Sequence, residues 1–156
     1  MNGNRIHAFI LALVVASSAA AMDTPKPDPK EPEKKSELDA GRAAIARQDW
    51  AGAQAALRDA VARHPENADA HNLYAYSMRK GDSPQMDLVF RHYNEALRLN
   101  PQHVAAREYL GEAYLMSGNL AKAEEHLALL GRICLIPCDE YGLLRDKIAA
   151  FRAKQR

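Results

Sequence analysis

An all-α fold, built as a short stack of helical hairpins, follows from three observations in this chain of 156 residues. Small and large apolar residues recur in columns at one period. Turn-forming residues recur between them, and only 6% of the residues are aromatic, so small side chains must do much of the packing. Columns of this kind mark a repeat in which each unit buries its apolar face against the next. Gly41, Ala75 and Gly111 stand 34 and then 36 residues apart, as do Ala44, Met78 and Tyr114. Ala53, Val89 and Ala123 stand 36 and then 34 apart, with Leu57, Tyr93, Leu127 and Ala60, Ala96, Leu130 in the same register. Two extra residues therefore fall in the Gly81-Asp82-Ser83-Pro84 turn.

Residues 1–21 read as an export signal, outside the fold. Arg5 supplies the positive start, Ala8 to Ala16 are uninterruptedly apolar, and Ala19 and Ala21 form the small-residue pattern of a cleavage site. That run is far shorter than the ~20 residues of a spanning helix. Cleavage would release a periplasmic protein free of the membrane; left uncleaved, the segment would anchor it. Residues 22–35 hold Pro25, Pro27, Pro29 and Pro32 among alternating charges, which suits an extended, solvated spacer. Three units follow, at about 36–66, 67–102 and 103–135. Each is two helices joined at Gln48-Asp49, Gly81-Asp82 or Gly118-Asn119, where glycine or asparagine can take the positive φ that ends a helix. Pro65 and Pro101 close the first two units. A stack leaves an apolar face at its end, so residues 136–156 are expected to supply a capping helix, with Tyr141, Leu144, Ile148 and Phe151 on one stripe. That makes seven helices.

These residues, from Trp50-Ala51-Gly52-Ala53 through Ala60 and Pro65, and from Leu110-Gly111-Glu112-Ala113-Tyr114 through Gly118 and Ala123, resemble three tetratricopeptide repeats. The third unit departs from that pattern, with Leu135 at the closing-proline position and Pro137 two places on. His71 and Arg107 stand where an early aromatic is usual. The resemblance implies a concave surface lined by the first helices, taking a protein or peptide partner. On this chain its inward positions are Leu38, Arg42 and Ile45, then Asn72, Tyr76 and Arg79, then Glu108, Glu112 and Leu115. One subclass grips a carboxyl terminus with Lys and Asn in the groove. Leu38 and Glu108 occupy positions of that clamp, so it is missing here.

Other functions find little support. A net charge of +1 offers no footprint for nucleic acid. The chain has no G-x-S-x-G, phosphate-cradling glycine loop or H-E-x-x-H, so neither an enzyme nor a cofactor is expected. Cys134 and Cys138 read first as a disulfide in an exported protein, pinning the cap. So short a loop contributes only ~2 kcal/mol. A thiol-redox or metal-handling pair is the alternative reading, and free thiols a third. His92 and His126 share a column on the second helices and read as a solvated face. The capped end and the charged Lys34-Lys35-Ser36-Glu37 start point to a monomer.

Overall fold

A computed structural model describes residues 36–134 and 138–155. The expected export signal and proline-rich spacer, together with Leu135 and Pro137, lie outside these residues. The described chain forms seven α-helices: α1 (Glu37–Ala46), α2 (Trp50–Arg63), α3 (Ala68–Lys80), α4 (Met86–Leu99), α5 (Val104–Met116), α6 (Leu120–Ile133) and α7 (Asp139–Lys154). Five begin on a side chain that accepts from the backbone N–H three residues on: Ser36, Asp49, Asn67, His103 and Asn119. Each satisfies one of the donors a helix start leaves open.

The helices pair as α1–α2, α3–α4 and α5–α6, and α7 packs on both α5 and α6. First helices of neighbouring units also touch, α1 with α3 and α3 with α5, whereas α2 and α4, or α4 and α6, do not. The second helices therefore splay, and the stack curves with α1, α3 and α5 on its inner side. Burial runs as a series of local cores rather than one centre. Ala44, Ala53 and Leu57 are buried in the first, Ala75, Val89, Tyr93 and Leu110 in the second, and Ala123, Leu130, Leu144 and Ile148 in the third. Three of the five repeat columns are buried throughout, and the other two have one half-buried member each, Tyr114 and Leu127; their smallest members mark close approaches. A Cβ on Gly41 would stand 2.5 Å from Leu57 Cγ, and one on Gly111 2.6 Å from Leu144 Cδ2. Gly111 thus admits the cap. The cap stripe sits as expected, with Leu144 and Ile148 buried and Tyr141 and Phe151 packed beside them.

The turns depart from the sequence reading in one unit. Gln48 (φ 59°) and Gly118 (φ 75°) adopt the left-handed conformation at equivalent places in the first and third units. Gly81 does not: its φ is −71° and ψ 171°, because the two inserted residues let that turn run extended before α4. Nothing lies within 4 Å of a Cβ built on Gly118, so Gly118→Ala isolates the backbone cost. It is expected to destabilise by ~1 kcal/mol. Gln48→Gly should stabilise by about 0.5 kcal/mol, relief of strain outweighing chain entropy. Urea denaturation of the two variants checks the opposite signs.

Candidate functional site

An aromatic ladder crosses all three units, from the start of α2 to the inner helices α3 and α5. Trp50, first residue of α2, meets Tyr76 of α3 edge-on at 6.0 Å between ring centres, and Tyr76 meets Tyr109 of α5 at 4.7 Å. The three rings are half-buried. Arg79, one turn on from Tyr76, lays its guanidinium 5.5 Å from the Tyr76 ring centre and 5.6 Å from that of Tyr109, within cation–π reach of both. Lys80 Nζ stands 6.0 Å from the Trp50 ring.

Beneath the ladder lies a charged network joining three helices. Arg79, its side chain 4% exposed, donates through Nε to Tyr93 Oη at 3.3 Å and through Nη1 to Glu112 Oε2 at 2.5 Å. Lys147 of α7 closes on Glu112 from the other side and stands 3.7 Å from Glu108 Oε1. Glu108 is fully buried and neither of its oxygens has a hydrogen-bond partner among the described residues. Burial raises its pKa, against the pull of Lys147 and Arg79. Burial lowers that of Lys147, whose carboxylate neighbour Glu108 acts the other way. Buried charges persist only when paired, and here two cations and two carboxyl groups from α3, α5 and α7 meet. The network ties the cap to the inner helices.

A second polar chain links the starts of these helices. Arg42 of α1 pairs with Asp69 of α3 at 2.9 Å, and Asp69 Oδ1 lies 3.1 Å from Nε2 of His103, the N-cap of α5. His103 Nδ1 accepts from the Ala106 N–H at 3.3 Å, so in the neutral ring the proton sits on Nε2, which is buried near Asp69 without a hydrogen-bond partner among the described residues.

Of the nine positions implied by the resemblance, the fold brings Tyr76, Arg79, Glu108, Glu112 and Leu115 together at the α3–α5–α7 end. Leu38 and Ile45 pack on the first core, and Arg42 is engaged with Asp69. Asn72, Arg79, Glu108 and Leu115 are buried. Sequence reasoning missed Trp50, Tyr109 and Lys147. Tyr109 shares no column with Tyr76, and Lys147 enters only through the placement of α7.

His92 and His126 correct the sequence reading, for neither lies on a solvated face. His71 Nε2 is 3.0 Å from Pro65 O and so donates, which leaves Nδ1 to accept from His92 Nδ1–H at 2.9 Å. Tyr74 packs edge-on to the His92 ring at 4.8 Å between centres. His126 stacks on Tyr114 at 5.6 Å, and its Nδ1 is buried without a hydrogen-bond partner among the described residues. The second helices lean on the first helices of their own units along this column.

Cys134, which ends α6, and Cys138, which begins α7, form a disulfide. Among the described residues no group of three or more His, Cys, Asp and Glu is placed to hold a metal ion, and no helix is long and apolar enough to cross a membrane.

Two family models, each described as tetratricopeptide repeat, match residues 38–83 and 87–133. No curated protein matches the chain in a sequence comparison. Among solved structures it is similar to the type III secretion translocator chaperone SycD of Yersinia enterocolitica, at a TM-score of 0.67 and 13% identity over 76% of this chain and 83% of that one. It is also similar to SycD in complex with a peptide of the translocator YopD, at 0.63 and 14% over 77% and 92%. The TPR2B domain of yeast Sti1, in a complex with an Hsp70 peptide, gives 0.66 and 19% over 78% of this chain and all of that one. At these identities the likeness is one of fold.

Proposed function

Since the chain belongs to the tetratricopeptide-repeat family, we propose that it is a non-catalytic, monomeric binding protein that holds a segment of a partner protein along its inner side. The aromatic ladder of Trp50, Tyr76 and Tyr109 carries this reading. Half-buried rings offer large contact area at small conformational cost, and the enrichment of Tyr, Trp and Arg where binding energy concentrates has the same cause. The ladder runs over residues contributed by all three units, as an extended or helical segment needs. Structures of the same fold hold peptides of YopD and Hsp70, which supports the reading of the groove without naming a partner. We place its work in the periplasm. The export-signal pattern of residues 1–21 and the Cys134–Cys138 disulfide support that, since disulfides persist in oxidising compartments.

The test is photo-crosslinking in living cells, with the reactive residue placed at Tyr76 or Tyr109 and, as a control, at the exposed Arg91 on α4. An adduct with one envelope protein from the inner positions and none from Arg91 is expected, and Trp50→Ala should reduce its yield severalfold. Equal adducts from both sides, or cytoplasmic partners alone, would sink the proposal.

A further inference from the structure

The inner groove ends in a pocket of about 390 Å³ between α3, α5 and α7, large enough for a substantial apolar group. Its walls are unusual in two respects. Leu115, Met116, Ala150 and Phe151 give it an apolar lining, and Met116 is 55% exposed, one of two large apolar side chains so exposed among the described residues. Around that lining stand Arg79, Lys147 and Lys154 with the carboxylate of Glu112, and buried Glu108 lies 3.7 Å from Lys147 behind it. Glu112 is already engaged by both Arg79 and Lys147. Lys154 has no ion-pair partner among the described residues, so its charge faces the pocket mouth uncompensated. The placement follows from the cap: Lys147, Ala150 and Lys154 fall three and four residues apart, which puts them on one stripe of α7. That stripe borders the groove while Leu144 and Ile148 are turned into the core.

We infer that this pocket anchors a bulky apolar side chain of a partner segment bearing a carboxylate beside it, which Lys154 meets at the rim. This rests on the groove reading above and adds the chemistry of what the groove selects. The apolar anchor supplies the affinity, by covering Met116 and Phe151. The rim charge of Lys154 supplies the discrimination, because a basic segment would bring like charges together without compensation.

Selection of a random peptide library on the purified protein tests it, followed by fluorescence anisotropy with the most enriched peptide. Enriched sequences should carry Leu, Ile, Met or Phe flanked within a few residues by Asp or Glu. Met116→Asp and Lys154→Glu, both at exposed positions, should each weaken binding at least fivefold with an unchanged circular dichroism spectrum. A peptide with Lys in place of its flanking Glu should bind Lys154→Glu better than it binds the wild type, which a merely structural role of Lys154 would not produce. If enriched peptides respond to Tyr76→Ala but change less than twofold in both pocket variants, the pocket inference fails and the groove reading stands. If none responds to any of the three substitutions, both fall. Occupation of the pocket by a fatty acid such as decanoate, with no peptide competing, overturns the inference as well.

Discussion

Replacing Arg79 by methionine is expected to lower stability by about 3 kcal/mol and the thermal midpoint by roughly 10 °C, read by chemical and thermal denaturation. Among the described inner-groove cations, Arg79 alone has a side chain almost wholly out of water, at 4% exposure against 45% for Lys147. Its loss leaves the hydroxyl of Tyr93, a fully buried residue, without the Nε donor, and leaves Glu112 with Lys147 alone. Removing one member of a buried pair costs about 3–5 kcal/mol, mostly as the penalty on the charge left behind. The surviving Lys147 contact holds the loss toward the lower figure. Arg79→Lys should recover less than half of it, because an ammonium is a single point and cannot reach Tyr93 and Glu112 together. A loss below about 1 kcal/mol in the single variant would show that the network behaves as a surface pair.

Acidification is expected to weaken the fold well before its surface carboxylates titrate. Burial, reinforced by the nearby Arg107 charge, pulls the His126 pKa from 6.5 down to about 4. Burial and the neighbouring His71 lower that of His92 as well. A histidine held neutral by the fold binds its proton more readily in the unfolded chain. Its contribution is therefore complete above pH 6.5 and is lost as the pH falls from there toward 4. For His126 a shift of that size corresponds to about 3 kcal/mol, reduced to about 2 kcal/mol for a ring that is partly solvent-screened. Glu108 works in the opposite sense: its raised pKa favours the folded state as it takes up a proton, so it offsets part of the loss. His126→Gln separates the two, since the amide does not titrate. The variant should lose less stability than the wild type between pH 7 and 4.5 in urea titrations. Identical pH slopes for the two proteins would refute the assignment to His126.

How far the sequence could be read depends on the kind of contact. Ala75, Val89, Tyr93 and Ala123 announced their burial through the repeat register, because an apolar residue that recurs at a fixed place in each unit faces the neighbouring unit. The cap was legible in the same way from Tyr141, Leu144, Ile148 and Phe151. The turn at Gly81 was not, since two inserted residues change its backbone path without altering the columns on either side. His92 and His126 misled for a related reason. A shared column says that two residues are equivalent, and polar residues in it suggest solvent. Here His71 and Tyr114 from the facing helices cover them.

What the sequence determined by itself was the architecture: three helical hairpins in register, their joints, and a closing helix with one apolar stripe. Local spacing is enough for that, because each unit meets its neighbour through residues at a fixed period. The tertiary structure alone decided which side chains share a site. Trp50, Tyr76 and Tyr109 come from different units and different columns, and Lys147 reaches Glu108 and Glu112 from a helix outside the repeat. Whether they meet depends on the rotation of each helix about its axis and on how closely Gly111 lets α7 approach. Those are properties of packed volume, and no periodicity in the chain encodes them.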